Sequence, residues 1–165
     1  MIPLKFTAED YYEAFDEWGA NCGPGAIAGI LGLSLNELRP SMGNFEKKHY
    51  TNPKLMIEIL KRLNVSCIET KKDPSWPKYG LCRIQWEGPW TPQEPRKSYR
   101  HTHWIGVNSI NPDNIGIFDI NCMMANNGWV PLEGWKTILV PWILNEIDSD
   151  ANGKWHLTHS IEISI

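Results

Sequence analysis

The chain has 165 residues, 42% of them apolar and 21% charged, with a formal net charge of −3. That length and balance suit a single domain, residues 1–165, around a real hydrophobic core, and they argue against a disordered chain. Lys and Arg are scattered with no basic stripe, so no nucleic-acid partner is expected. No run approaches the ~20 apolar residues of a membrane-spanning helix.

In chain order, Ala8 to Phe15 carries Tyr11, Tyr12 and Phe15 at helical spacing and predicts a short helix. After Trp18-Gly19-Ala20-Asn21-Cys22-Gly23-Pro24-Gly25 comes Ala26-Ile27-Ala28-Gly29-Ile30-Leu31, apolar all round and closed by Gly32. A helix that is hydrophobic on every side belongs at the centre of a domain. Pro24 suits its first turn, where the missing N–H costs nothing. Gly25, Ala28 and Gly29 would let another element come close.

Ser34 to Glu37 is a capping-box pattern. Asn52-Pro53 starts a further helix that buries Leu55, Met56, Ile59, Leu60 and Leu63. From there the pattern changes to strands: Val65–Glu69, Gly80–Trp86, Thr102–Asn108, Asn114–Ile120, Thr137–Trp142 and His156–Ile165. A loop rich in Pro and charge runs from Glu87 to Tyr99. Helices first and an antiparallel sheet after them make an α+β pattern. Of the nine tryptophans, several are expected in the core, while Trp86 and Trp90 are candidates for lining a cleft.

Cysteines stand at 22, 67, 82 and 122, with no CxxC pair and no zinc-finger spacing. No basic stretch followed by an apolar run opens the chain. The expectation is therefore reduced thiols in a cytoplasmic protein, acting in its own cell or delivered into another. Cys67 and Cys82 sit in strand-like sequence and are expected as core filler.

Cys22 has a different setting, just before a helix, where free N–H groups and the helix dipole favour an anion and lower a thiol's pKa. The alternative is a small residue packed in a tight turn. A nucleophilic thiol needs a base. Arg100-His101-Thr102-His103-Trp104-Ile105 offers two histidines on one face of a strand. His103 lies nearer the apolar body and is the better-fixed candidate, and His101 is expected at an exposed loop edge. Asn-Pro-Asp-Asn at 111–114 predicts a hairpin that brings His103 and Asp119 to the same end. A carboxylate in so apolar a strand is costly unless paired. Asn121 is an alternative orienter for the imidazole.

Two decoys share these residues. Asp148-Ser149-Asp150-Ala151-Asn152-Gly153 matches the start of a calcium-binding EF-hand loop, but its twelfth position is His159 instead of Glu. It is read as a hairpin turn on Asn152-Gly153. His101, His103 and Cys122 could be imagined as a zinc site, which would leave the setting of Cys22 unexplained. No metal and no other cofactor is expected.

Asn21-Cys22-Gly23-Pro24-Gly25-Ala26 opening a buried helix, then His103-Trp104-Ile105-Gly106-Val107, then Phe118-Asp119, resembles the papain-like cysteine peptidase superfamily. Within it the chain is most similar to the bacterial peptidases that trim double-glycine leader peptides. The resemblance covers roughly Trp18 to Asn121. It implies N-terminal helices packed on an antiparallel sheet, and attack on an amide carbonyl of a peptide or protein substrate through an acyl-enzyme. It makes Cys22 the nucleophile, His103 the general acid/base and Asp119 the orienter. Other acyl transfer on the same residues, deamidation or transglutamination, stays open. The chain departs from the family where a Gln usually precedes the Cys to hold the oxyanion. Asp16, Glu17, Trp18, Gly19, Ala20 and Asn21 stand there. Asn21, a backbone N–H or the Trp18 indole is the expected substitute donor, and a degenerate binding module is the remaining alternative.

Overall fold

The structure, a computed structural model, describes residues 2–92, 101–147 and 150–164. It begins with helix α1, Ala8–Trp18. Thr7 and Asp10 form a reciprocal capping box at its start, and Gly19, in the left-handed region at φ 64°, closes it. Helix α2, Cys22–Leu31, follows after three residues and ends on Gly32 at φ 65°. The Ser34–Glu37 pattern caps α3, Leu35–Leu38. A short α4, Phe45–Lys48, precedes α5, Pro53–Arg62. The side chain of Asn52 accepts from Leu55 N at 2.8 Å to start α5.

Among the described residues the strands are β1 (Cys67–Thr70), β2 (Tyr79–Trp86), β3 (Thr102–Asn108), β4 (Gly116–Phe118), β5 (Trp129–Pro131) and β6 (Trp155–Ile163). They form one sheet in the order β1-β6-β2-β3-β4-β5, with every pairing antiparallel. The molecule is thus α+β. No helix among the described residues is long and apolar enough to cross a membrane.

Strand alternation divides the core in two. Leu81, Trp104, Phe118 and Ile161 face the N-terminal helices. Cys82, Ile84, Trp86, Ile105, Val107 and Ile117 face the opposite side, where Trp135, Val140, Ile143 and Leu144 cover them. Helix α2 lies across β3 and β2, with Ile27 and Ile30 fully buried. Each such isoleucine contributes about 1.5–3 kcal/mol. Glycine allows the close approach. A β-carbon on Gly29 would stand 2.6 Å from the Phe118 ring, and one on Gly25 2.5 Å from Ile120 Cδ1. The Tyr79 hydroxyl donates to Ile30 O at 2.8 Å, satisfying a carbonyl that the end of α2 leaves open.

Several expectations need correcting. Thr137–Trp142 is not a strand. A π-helical turn, Trp135–Leu139, leads into a helix, Val140–Ile147. The β-branched run Thr137-Ile138 suggested a strand, but the buried residues Val140, Ile143 and Leu144 keep a helical period. Pro141 has no N–H to return to a carbonyl four residues back, and the ladder widens immediately before it, with Val140 N–H reaching Trp135 O. It follows that Asn152-Gly153 is no hairpin turn, because a helix and not a strand precedes it. Asp148 and Ser149 of that segment lie outside the described residues, as does most of the Pro-rich loop from Glu87 to Tyr99. Trp86 and Trp90 are buried in the second core, with Trp90 Nε1 donating to Trp86 O at 2.7 Å. His101 is half-buried, its ring stacked 3.7 Å from that of Trp90.

Candidate active site

Strand β4 is shorter than its sequence suggests, and that shortness makes the site. The register pairs Gly106 with Phe118, which would set Trp104 opposite Ile120. Ile120 has already left the sheet, because the Asp119 side chain accepts from Asn121 N at 3.0 Å and starts the 3-10 turn Ile120–Cys122. The Trp104 N–H has lost its strand partner, and the N-terminus of α2 comes into that gap. The His103 side chain and the Trp104 backbone N–H are the groups that act on the Cys22 sulfur there.

His103 begins β3 and is buried, 6% exposed. Its Nε2 lies 3.0 Å from Asp119 Oδ2. The ring N–H is not aimed along that line, so the contact is more an ion pair than a linear hydrogen bond. Trp86 stacks on the imidazole at 5.9 Å and 24°, which fixes the ring and offers a π-face to its charged form. Asp119 is fully buried and well supplied with donors. Asn121 N and Nδ2 reach Oδ1 at 3.0 and 2.9 Å, and Trp135 Nε1 reaches Oδ2 at 2.8 Å. Asn121 therefore holds Asp119 rather than His103.

The electrostatics follow from this line of groups. Burial pushes the Asp119 carboxyl up, but the adjacent imidazolium and the Trp135 and Asn121 donors outweigh it and hold the carboxyl below its usual range. Burial pulls His103 down, yet the Asp119 charge and the Cys22 contact raise it to about 10. Burial also raises the Cys22 thiol, and Asp119 adds to that. The bond to His103, its charge and the Trp104 N–H together bring the thiol below its ordinary value. Cys67, Cys82 and Cys122, without such partners, are raised by burial. Cys22 is the one cysteine of the four whose thiol is lowered, and a thiolate is the nucleophilic form.

Cys22 keeps surface on a cleft of about 710 Å³. The cleft runs between the start of α2, the α4–α5 connection and the ends of β2 and β3, with Gly23, Thr51, Arg83 and Thr102 on its walls. None of the described lining residues is acidic. The Arg83 guanidinium, buried against the sheet, donates from Nη2 to Thr102 Oγ1 at 3.3 Å.

Two of the expected substitute oxyanion donors, the Asn21 and Trp18 side chains, stand elsewhere. Asn21 gives its side-chain Nδ2 to Tyr11 O at 3.3 Å, and Trp18 packs edge-on against Phe45; neither lines the cleft. Local sequence marked Trp86 only as a candidate for lining a cleft and Trp104 only as a neighbour of His103, and it carried no sign of Trp135. Each reaches the site through strand pairing or through the helix on the far face of the sheet. Among the described residues no group of three or more His, Cys, Asp or Glu could hold a metal, His101, His103 and Cys122 included. Neither a protein-family model nor a curated protein matches the chain.

Proposed function

We propose that this protein is a papain-like cysteine hydrolase that cleaves a peptide or isopeptide bond in a peptide or protein substrate, with no cofactor. The observation that carries the reading is a buried His103 with Nε2 3.0 Å from Asp119 Oδ2, acting electrostatically on Cys22, whose sulfur opens on a cleft. The thiolate attacks the amide carbonyl, forming a C–S bond. His103, as imidazolium, gives its proton to the leaving amine as the C–N bond breaks. Water, deprotonated by the now neutral His103, then attacks the thioester and returns the thiol. Asp119 keeps the imidazole oriented and favours its charged form throughout.

Deamidation and transglutamination use the same acyl-enzyme and differ in the bond presented and the acceptor that resolves it. The missing upstream Gln favours one further reading, a binding module that retains the scaffold without turnover. The test is cleavage of a peptide and isopeptide library by the protein and by Cys22→Ala, read by mass spectrometry. Wild type should give products, and Cys22→Ala should give none while melting at the same temperature. Full turnover by Cys22→Ala would contradict the proposal. Conversion of side-chain amide to acid, in place of cleavage, would redirect it to deamidation.

A further inference from the structure

We infer that the Thr51 hydroxyl, together with the backbone N–H groups at the start of α2, forms the oxyanion hole of this site. The inference rests on the hydrolase reading and supplies the donor that the upstream sequence lacks.

Three observations lead there. First, the opening of α2 is uncapped. Asn21 makes no side-chain capping bond and spends its amide on Tyr11 O. The first backbone bond of the helix is Gly25 N to Asn21 O. The N–H groups of Cys22 and Gly23 precede it and have no intrahelical acceptor, and Pro24 has no N–H at all. Second, Thr51 is only 8% exposed, yet it lines the same cleft as Cys22. Its backbone carbonyl accepts from Trp104 Nε1 at 2.7 Å, and among the described residues its hydroxyl has no partner. Third, that hydroxyl occupies the space next to Gly23. A β-carbon built on Gly23 would collide with Thr51 Oγ1 and stand 2.8 Å from Thr51 Cβ. The Cα–Cβ direction in a helix tilts toward its N-terminus, the side on which the open N–H groups also point. The hydroxyl and those N–H groups therefore lie on the same side of the start of α2, where Cys22, Gly23 and Thr51 line one cleft.

The support is rigid. Trp104 holds Thr51 through its indole N–H, and its backbone N–H is among the groups that lower the Cys22 thiol, so one residue bears on both the nucleophile and the proposed donor. Asn52, next to Thr51, is held as the N-cap of α5. Pre-positioned donors of this kind stabilise the charge on a tetrahedral intermediate. When the thiolate adds to a carbonyl carbon, the C=O π electrons move to oxygen, and that oxyanion takes the Thr51 O–H and a backbone N–H. Collapse restores the carbonyl and expels the leaving group with its bonding pair.

The test compares two reactions at Cys22. p-Nitrophenyl acetate acylates a thiol through an oxyanion and releases p-nitrophenolate. Iodoacetamide alkylates it by displacement of iodide, with no oxyanion. Wild type should be acylated faster than an ordinary thiol, with Cys22→Ala giving the background. Thr51→Val, nearly the same shape without the hydroxyl, should lose about 10²-fold in acylation and keep its alkylation rate. Thr51→Ser should recover most of the loss. Equal loss in both reactions, no loss in either, or wild-type acylation no faster than a free thiol would overturn the inference. Slow alkylation of wild-type Cys22 would instead overturn the hydrolase reading on which it stands.

Discussion

Asp119 is a carboxylate with no exposure, held by three donor groups and an imidazolium within 3.0 Å. Its usual value of 3.8 is lowered in the fold. Its contribution to stability is therefore present above that unfolded value and is lost as pH falls through the folded one. For His103 the sign is opposite. Its contribution is complete below 6.5 and is lost as pH rises toward about 10. Trp135→Phe removes one charge-assisted bond from Asp119 and should cost about 1.5–3 kcal/mol. Urea melts across the acid range should show its unfolding midpoint at higher pH than wild type; an unchanged midpoint would mean that the indole N–H does not hold the carboxylate. The same signs bear on turnover. An alkaline limb near pH 10, where His103 loses the proton it would deliver, should appear in amide cleavage and be absent from iodoacetamide alkylation. Finding the limb in both reactions would shift the cause away from proton delivery.

At the scale of elements, the close fit of α2 on the sheet can be tested through its glycines. Gly29→Ala would drive a methyl into the Phe118 ring at 2.6 Å and should cost about 1–3 kcal/mol in a thermal melt. Gly134→Ala, with nothing within 4 Å, should cost far less. Equal effects would deny the tight α2–β4 contact. The elements legible from sequence were those whose local signals agree with their packing. Helix α2 is apolar throughout and closed by Gly32, α5 has Asn52-Pro53 before a helical period, and β2 and β3 are rich in aromatic and β-branched residues. The run Thr137–Trp142 was not legible as a helix, because β-branched residues and a proline mask its period and only the buried face resolves it. Strand β4 ended early because Asp119 bonds its own backbone two residues on. That competition between side chain and sheet was visible in Asp-Ile-Asn only as a turn tendency.

Across the whole molecule the site draws on both faces of the sheet. Cys22 arrives with α2 on one side, while Trp86 and Trp135, which support His103 and Asp119, belong to the core on the other. Chain order and the β3–β4 hairpin were enough to bring His103 and Asp119 to one end. Thr51 and Trp135 come from segments that carry no chemical motif, and only the packed fold brings them near. The four thiols report on this arrangement. Cys22 should label rapidly in the native state, while Cys82, fully buried between β3 and β6, should label only on global unfolding. Pulsed labelling in increasing urea, read residue by residue, checks both; early labelling of Cys82 would mean that the second core opens by itself.

The most direct measurement is the rate of Cys22 alkylation by iodoacetamide as a function of pH, in wild type and in Asp119→Asn. A thiolate held by a charged imidazole predicts a wild-type rate already at its plateau at neutral pH, and a variant whose inflection moves up toward the ~8.5 of a free cysteine. A wild-type inflection at that ordinary value, unmoved by Asp119→Asn, would contradict the ion pair on which the proposed chemistry depends.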